Sequence, residues 1–389
     1  MQFGYEDCSF AMNFQQLRSV RETVRCGFNL TEVANVLHTS QPGVSRQIRE
    51  LEDELGIELF VRAGKRLTGL TEPGGHVLPI IERILQDSHN LRQASQEYVA
   101  QQSGTLSIAA THSQARYALP TAVQEFRLQF PDVKLHLHQG SPRQVAEMLL
   151  SGEADVGIAT EALAQYDELV ALPCYRWTHS VIVPPSHRLL DAPLTLERLA
   201  AWPLITYDTG FTGRTHIDEA FAQRQLTPNI VLAAMDADVI KTYVELGLGV
   251  GLVASIAFEA ERDTALRAID AGGLFGINMT RLAVRKGTYL RGYVYAFIES
   301  FAPTLGRSVV ERSLAGETSG SEVSLYDICG SCWSSQPRSA ASTSLRAGSA
   351  SLKISWYSGS KACTATTSRG AAAAKARLPA GFTRRSLPA

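Results

Sequence analysis

The apolar residues of this chain change their period once, near residue 105, and that change constrains the fold more than any other feature. Before it, three sets recur at helical spacing: Phe14, Leu17, Val20 and Val24; Leu30, Val33, Ala34 and Leu37; Val44, Ile48, Leu51 and Leu55. Each set lies on one face of a helix. After it, short apolar runs at 106–110, 133–137, 155–159, 180–183 and 250–253 alternate with helical stretches. This is the pattern of an α/β domain with a largely parallel sheet. The last helix expected is Tyr293–Ala302, stopped by Pro303, and from about Gly316 the chain is rich in Ser, Ala and Gly without apolar period, which reads as a disordered tail. At 389 residues the chain has two or three domains' worth of length, at about 150 residues each, and needs no disulfide scaffold.

Charge is unevenly spread. Nine of the 37 Lys and Arg residues follow Cys329, where no acidic residue occurs, so residues 1–328 carry 28 basic and 38 acidic side chains. The chain is an acidic body with a basic tail. It has no apolar run of about 18 residues and no signal-peptide start, so a cytoplasmic protein without membrane contact is expected. Six cysteines, three of them (Cys329, Cys332 and Cys363) in the tail, make no disulfide framework, and a reducing compartment fits them.

Asn29, three residues before Glu32, is a capping-box-like start for a short helix. Ser40 caps the next, whose first turn tolerates Pro42. In that second helix Val44, Ile48, Leu51 and Leu55 point inward. Gln41, Ser45, Arg46 and Arg49 are left on another face, where Gln and Arg can pair bidentately with adenine and guanine edges in a major groove. An ordinary helical hairpin with a solvated polar face fits the spacing equally well.

The local wording decides between them. Ala34, the run Ser40-Gln41-Pro42-Gly43-Val44-Ser45-Arg46-Gln47-Ile48, Leu51-Glu52, Leu55-Gly56, Leu59-Phe60-Val61-Arg62 and Leu70-Thr71 resemble the winged helix-turn-helix of LysR-type transcriptional regulators over about residues 12–75. The resemblance implies Met12 as the usual start, with Met1–Ala11 an extension. It implies that Pro42 joins Gln41, Ser45, Arg46 and Arg49 at the DNA, and that Arg62, Lys65 and Arg66 form a wing that meets phosphates rather than bases. Beyond Thr71, Val77, Ile81, Ile84, Ser88, Leu91, Ser95 and Tyr98 step alternately by four and three, a coiled-coil seam in which Pro79 implies a late start or a kink. In the family this linker helix pairs two chains; a helix packed on its own domain is the alternative.

Thr111-His112-Ser113-Gln114-Ala115-Arg116-Tyr117 is a strand end turning into a helix. Its hydroxyls and free amides suit an anion, although a merely capped helix fits as well. Ala159-Thr160-Glu161-Ala162 follows another strand, and Tyr207-Asp208-Thr209-Gly210-Phe211-Thr212-Gly213-Arg214 is a Gly-punctuated loop. With His138-Gln139-Gly140-Ser141-Pro142, Leu172-Pro173-Cys174-Tyr175, Asp236–Tyr243 and Leu246–Gly251, these segments resemble the CysB-type branch of the LysR family over about residues 12–312. Two α/β subdomains of periplasmic-binding-protein type are thereby implied, clasping a small anionic effector through Thr111, Ser113, Gln114, Thr160 and Thr212. Ser113 stands where Thr is expected, and Arg214 either adds charge or forms a structural ion pair.

The resulting plan is an extension (1–11), a winged helix-turn-helix (12–70), a linker helix (71–102), an effector domain (103–315) and a disordered basic tail (316–389). Within the effector domain, subdomain I covers 103–173 and 280–312, and subdomain II covers 174–279. The implied function is regulation of sulfate assimilation and cysteine synthesis, with sulfate, thiosulfate or acetylserine as effector and no other cofactor. The implied partners are double-stranded promoter DNA, further copies of the chain in a homodimer or homotetramer, and RNA polymerase. A two-lobed solute-binding protein without a transcriptional role is the rival; it would need a signal peptide and no DNA reader.

Other signals fail. Cys329-Gly330-Ser331-Cys332-Trp333 matches the surroundings of a papain-type nucleophile, but all nine His precede residue 217, and as a zinc half-site the pair lacks a partner pair. Leu252 and Val253 stand where a dinucleotide loop built on Gly247, Gly249 and Gly251 still needs glycine, so close backbone packing is the better reading. His136 and His138 share a strand face without a third ligand. No enzyme is expected. The tail reads as a natural basic arm or as the product of a frame shift near residues 314–330.

Overall fold

The computed structural model describes residues 12–64, 66–99 and 102–317, with the backbone of a few strands beyond them. Helix α1 (Phe14–Arg25) opens on a completed capping box between Asn13 and Gln16. Helix α2 (Leu30–Val36) is capped by Asn29, which accepts from the amides of Thr31 and Glu32; the box expected with Glu32 is not completed. Helix α3 (Gln41–Leu55) starts on Ser40, whose hydroxyl accepts from the Gly43 amide, and stops at left-handed Gly56. Val44, Ile48 and Leu51 pack with Leu17, Val20, Val33 and Ala34 in one core. Strands β1 (Phe60–Ala63) and β2 (Arg66–Leu70) pair antiparallel as the wing.

Helix α4 (Glu72–Val99) runs unbroken through Pro79, so its start is not late. Pro79 and Gly75, the residue whose carbonyl it leaves without its helical partner, both face solvent, where that carbonyl is open to water. The expected seam is divided. Val77, Ile81 and Ile84, with Leu85, pack on the core of the DNA-reading domain, whereas Leu91 and Tyr98 are 73% and 87% exposed.

The remainder forms two lobes. Lobe I begins with β3 (Gly104–Ala110), a π-helical turn (Gln114–Ala118), α5 (Leu119–Gln129), β4 (Val133–Gln139), α6 (Pro142–Ser151), β5 (Val156–Thr160) and β6 (Leu169–Trp177). The chain then enters lobe II with β7 (His179–Val183), α7 (Leu196–Ala200), β8 (Pro203–Tyr207), α8 (Thr212–Gln223), β9 (Asn229–Ala234), α9 (Ala237–Glu245), β10 (Val250–Ala254), β11 (Arg267–Asp270) and α10 (Gly272–Phe275). It returns through β12 (Asn278–Arg285), α11 (Gly292–Phe301) and α12 (Arg307–Leu314). Strand β13 (Tyr326–Ile328) borders lobe I, in the order β13-β6-β12-β5-β3-β4; lobe II is ordered β11-β7-β10-β8-β9.

Both sheets are mixed, which corrects the expectation of largely parallel ones. β3 runs parallel to β4 and β5, and β8 to β9 and β10, but β12 lies antiparallel to β5 and β6, and β7 to β10 and β11. The two passages between lobes cause this, because the returning strand β12 enters its sheet from the opposite end to the strand that left it. The passages fall at Thr178 and Ile277, so β6 stays in lobe I beyond residue 173 and β12 joins before residue 280. Helix α12 also follows the helix expected to be last. Only Val310 of it is buried, too little apolar pattern to be read. Close packing at the glycines is as expected: a Cβ at Gly249 would lie 2.5 Å from the Pro203 carbonyl oxygen, and one at Gly251 2.5 Å from Ile182.

Met1–Ala11, Lys65, the Cys329–Trp333 motif and most of the expected tail lie outside the described residues. Residues 331–389 form a separate unit, in which Thr343–Ala347, Ala350–Ile354 and Ala365–Thr367 make a small antiparallel sheet. No helix among the described residues is long and apolar enough to cross a membrane.

Candidate DNA-reading face and ligand cleft

The capped start of α3 leaves Gln41, Pro42, Arg46 and Arg49 exposed and Ser45 half-buried. Arg46 Nε donates to Glu50 at 2.6 Å, and Arg49 Nη2 to Ser45 Oγ at 3.1 Å. Surface pairs of this kind contribute little, so the guanidiniums are aligned along the helix yet free to exchange these partners for base edges. In the wing, Arg66 is exposed at the first position of β2. Arg62, exposed on β1, also has a partner within the fold. Its Nη2 donates to Glu52 Oε2 at 2.5 Å, while Glu52 Oε1 accepts the amides of Leu59 and Phe60 at 2.8 and 3.3 Å. Glu52 is only 7% exposed, and a buried carboxylate needs such a cation. Arg62 therefore clamps the wing to α3.

In the effector domain the expected residues converge. Thr111, Ser113, Gln114 and Thr160 of lobe I face Tyr207, Phe211, Gly213 and Ala254 of lobe II across a cavity of about 30 Å³, with Trp177 at its wall. That volume holds little more than a water molecule. Thr212 sits beside the cavity, its Oγ1 2.6 Å from Thr160 Oγ1, so the two hydroxyls bridge the lobes. The Tyr175 hydroxyl donates to Gln114 Oε1, and Gln114 Nε2 donates to Thr280 Oγ1 at 3.2 Å, leaving one amide hydrogen for a ligand. Gln114 also opens the π-helical turn, a rare local geometry that recurs at functional sites.

The cleft is lined by neutral side chains. Arg214 is absent from its wall: 12% exposed, it donates to Asp218 Oδ1 at 2.8 Å and to the Tyr207 carbonyl at 2.9 Å, and so is the structural ion pair of the two readings. Behind the wall, Trp177 Nε1 and His179 Nε2 are buried with no hydrogen-bond partner among the described residues. Asn278 Nδ2 lies 3.3 Å from His179 Nδ1. Burial, reinforced by His216, pushes His179 down to about 3 and keeps it neutral. Gly213 allows α8 to approach these rings, since a Cβ there would lie 2.9 Å from His179 Nε2. Burial likewise pushes the Tyr207 phenol up, and its oxygen accepts the Ala254 amide at 3.0 Å.

Sequence reasoning missed Trp177, His179, Tyr207, Phe211, Gly213 and Ala254. Three of them lie in the Gly-punctuated loop already singled out. Trp177 and His179 merely flank a passage between lobes and carry no motif.

A winged helix-turn-helix joined by a long helix to a two-lobed α/β domain with a neutral polar cleft defines a ligand-responsive DNA-binding regulator. Family models agree. Residues 14–75 match "Bacterial regulatory helix-turn-helix protein, lysR family", and residues 100–306 match "LysR substrate binding domain". The chain is 57% identical over 313 residues to the HTH-type transcriptional regulator CysB of Burkholderia cenocepacia, covering 80% of this chain and all of that one. To the regulator Cbl of Escherichia coli it is 51% identical over 313 residues, covering 80% and 99%. Among solved structures, the cofactor-binding domain of the Cbl transcriptional regulator matches with a TM-score of 0.53 and 48% identity, over 55% of this chain and 93% of that one. A full-length OxyR variant from Pseudomonas aeruginosa shares the fold, with a TM-score of 0.56 at 19% identity over 75% and 97% of the two chains. The chain belongs to the LysR family, and it is a DNA-binding regulator of sulfur and cysteine metabolism genes.

Proposed function

We propose that this regulator controls sulfate assimilation and cysteine synthesis in response to a small oxyanion or acetylserine-type effector bound between the lobes. The observation that carries the reading is the cleft itself: Thr111, Ser113, Gln114 and Thr160 face the first turn of α8, which supplies Gly213, and Thr160 meets Thr212 across the gap. Neutral hydroxyls and the free amides of a helix start are suited to an anion. Gln41, Pro42, Ser45, Arg46 and Arg49 read bases, and Lys65 and Arg66 hold phosphates. The exposed apolar residues Leu91, Tyr98 and Val99 on α4 support pairing of two chains through this helix, and two pairs form the working tetramer. The protein acts in the cytoplasm and performs no covalent chemistry. The effector shifts the placement of the DNA-reading domains only by its differential affinity for one arrangement.

Calorimetry with sulfate, thiosulfate and acetylserine tests the effector site. Hydrogen bonds to a charged partner contribute about 1.5–3 kcal/mol, so Thr160→Val, nearly isosteric without its donor, weakens binding roughly tenfold or more. Unchanged affinity for all three compounds in Thr111→Val, Thr160→Val and Thr212→Val would move the effector elsewhere.

A further inference from the structure

The lobes meet at a second place, beside the cleft. The π turn that brings Gln114 to the cavity wall also carries Arg116 and Tyr117 toward lobe II. Tyr117 is only 5% exposed, and its Oη donates to Asp238 Oδ1 at 2.6 Å. Arg116 Nε lies 3.4 Å from Asp238 Oδ2. Asp238 stands in the first turn of α9, fixed from within its own lobe by Lys241, whose Nζ is 3.1 Å from Asp238 Oδ1 and 3.0 Å from Asp263 Oδ1. The same ammonium lies 5.1 Å from the Tyr117 ring centroid.

Burial pulls the Asp238 carboxyl upward, but hydrogen bonds from Tyr117 and Lys241 and the charges of Lys241 and Arg116 outweigh it, leaving the group below its ordinary value. Burial and the neighbouring carboxylate push the Tyr117 phenol well above its ordinary value. Near neutral pH the pair is therefore a protonated donor and an ionised acceptor, the stronger class of hydrogen bond.

We infer that Tyr117 and Asp238 form a cross-lobe latch that positions the two walls of the cleft and so sets effector affinity without touching the effector. The inference rests on the effector site proposed above. A cavity of about 30 Å³ is too small for an oxyanion, so the lobes part for it to enter and close on it with the Thr160–Thr212 hydrogen bond opened by the ligand, while the Tyr117–Asp238 contact beside the cleft forms again. When they part, the Tyr117–Asp238 bond breaks, and both groups hydrate. Apparent affinity equals the intrinsic affinity scaled by the closed fraction, so a contact made only in the closed arrangement raises affinity from a distance. The π turn joins the two events, because Gln114 at its start is anchored by Tyr175 and Thr280 and Tyr117 follows three residues later.

The test uses the full chain, sulfate calorimetry, and hydrogen exchange at 114–118 and 236–242. Tyr117→Phe keeps the ring packing and removes the donor; Asp238→Asn removes the charge from the other side. Each should weaken sulfate roughly tenfold, speed exchange in both segments with or without sulfate, and leave the melting temperature of the DNA-reading domain unchanged. The double variant should be no weaker than either single one. Sulfate affinity within twofold of wild type in both variants, while Thr160→Val loses it, overturns the latch. If Thr160→Val retains full affinity, the effector reading fails instead, and exchange alone judges the latch: unaltered rates in Tyr117→Phe and Asp238→Asn refute it.

Discussion

The reading face on α3 and the cleft between the lobes both offer donors to an anionic partner, but they are assembled differently. The reading face comes from Gln41 to Arg49, one helix, with its side chains in solvent and its core residues on the opposite side. The cleft draws on segments from Thr111 to Ala254, and most of its wall is buried. On the helix, recognition and folding use different residues. In the cleft the same residues serve both, as Gln114 does when it ties Tyr175 to Thr280 inside lobe I. The wing blurs this division on the DNA side, since Arg62, expected to meet phosphates, also holds Glu52 within the fold.

The strongest challenge to the comparison is Glu52→Ala. It strips the amides of Leu59 and Phe60 of their acceptor and Arg62 of its partner, so a loss of about 3 kcal/mol is expected in the unfolding of the DNA-reading domain. Urea titration followed by circular dichroism measures it; a loss below about 1 kcal/mol would make the wing clamp a surface contact of no consequence.

Acid sharpens the contrast next. His179 is neutral in the fold with its pKa pushed down to about 3, whereas an unfolded His titrates near 6.5. Between those values the unfolded chain binds a proton that the folded one refuses, so stability rises with pH across that window and is flat above it. At pH 5 the effector domain should be about 2 kcal/mol less stable than at pH 7. The DNA-reading domain has no buried imidazole of this kind among its described residues, its His38 being exposed. Calorimetric melts of wild type and His179→Gln compare the two, and an equal pH slope in both proteins would remove His179 as the cause.

Separable recognition makes the next prediction. Arg46→Ala should weaken a specific operator by on the order of 1–2 kcal/mol, the lower part of the range for a base-reading Arg, because its Glu50 partner offsets part of the gain in the wild type. The melting temperature should not change. The smallest effect is that of Lys65→Ala, which should weaken all DNA alike and reduce the salt slope by about one. Titrations at several salt concentrations on operator and unrelated DNA distinguish the two, and equal behaviour of both variants on both DNAs would dissolve the distinction between groove and wing.

What was legible in the sequence follows the same division. Ser40, Pro42 and the inward set Val44, Ile48 and Leu51 announced α3 because capping and periodicity act within a few residues. The strands at 106–110, 133–137 and 250–253 were equally plain. The antiparallel strands around the passages between lobes were not, since pairing partners such as β5 and β12 are remote in the chain. Pro79 suggested an interrupted helix, because a local rule cannot register that the carbonyl it leaves without its helical partner is open to water.

The sequence by itself determined most of the elements, α12 excepted, the order of the domains and, through family wording, which hydroxyls face the cleft. Only the tertiary structure decided which partners the remote charged groups take: Arg62 with Glu52, and Asp238 with Tyr117. The physical reason is that a helix cap or an apolar face is specified by neighbours along the chain, whereas a charge takes whichever counter-charge the fold brings within a few ångströms. At that distance burial raises the strength of the contact and the cost of losing it together. The path from Tyr117 to Asp238 runs through the whole of the first passage into lobe II, and that proximity exists only once both sheets have formed.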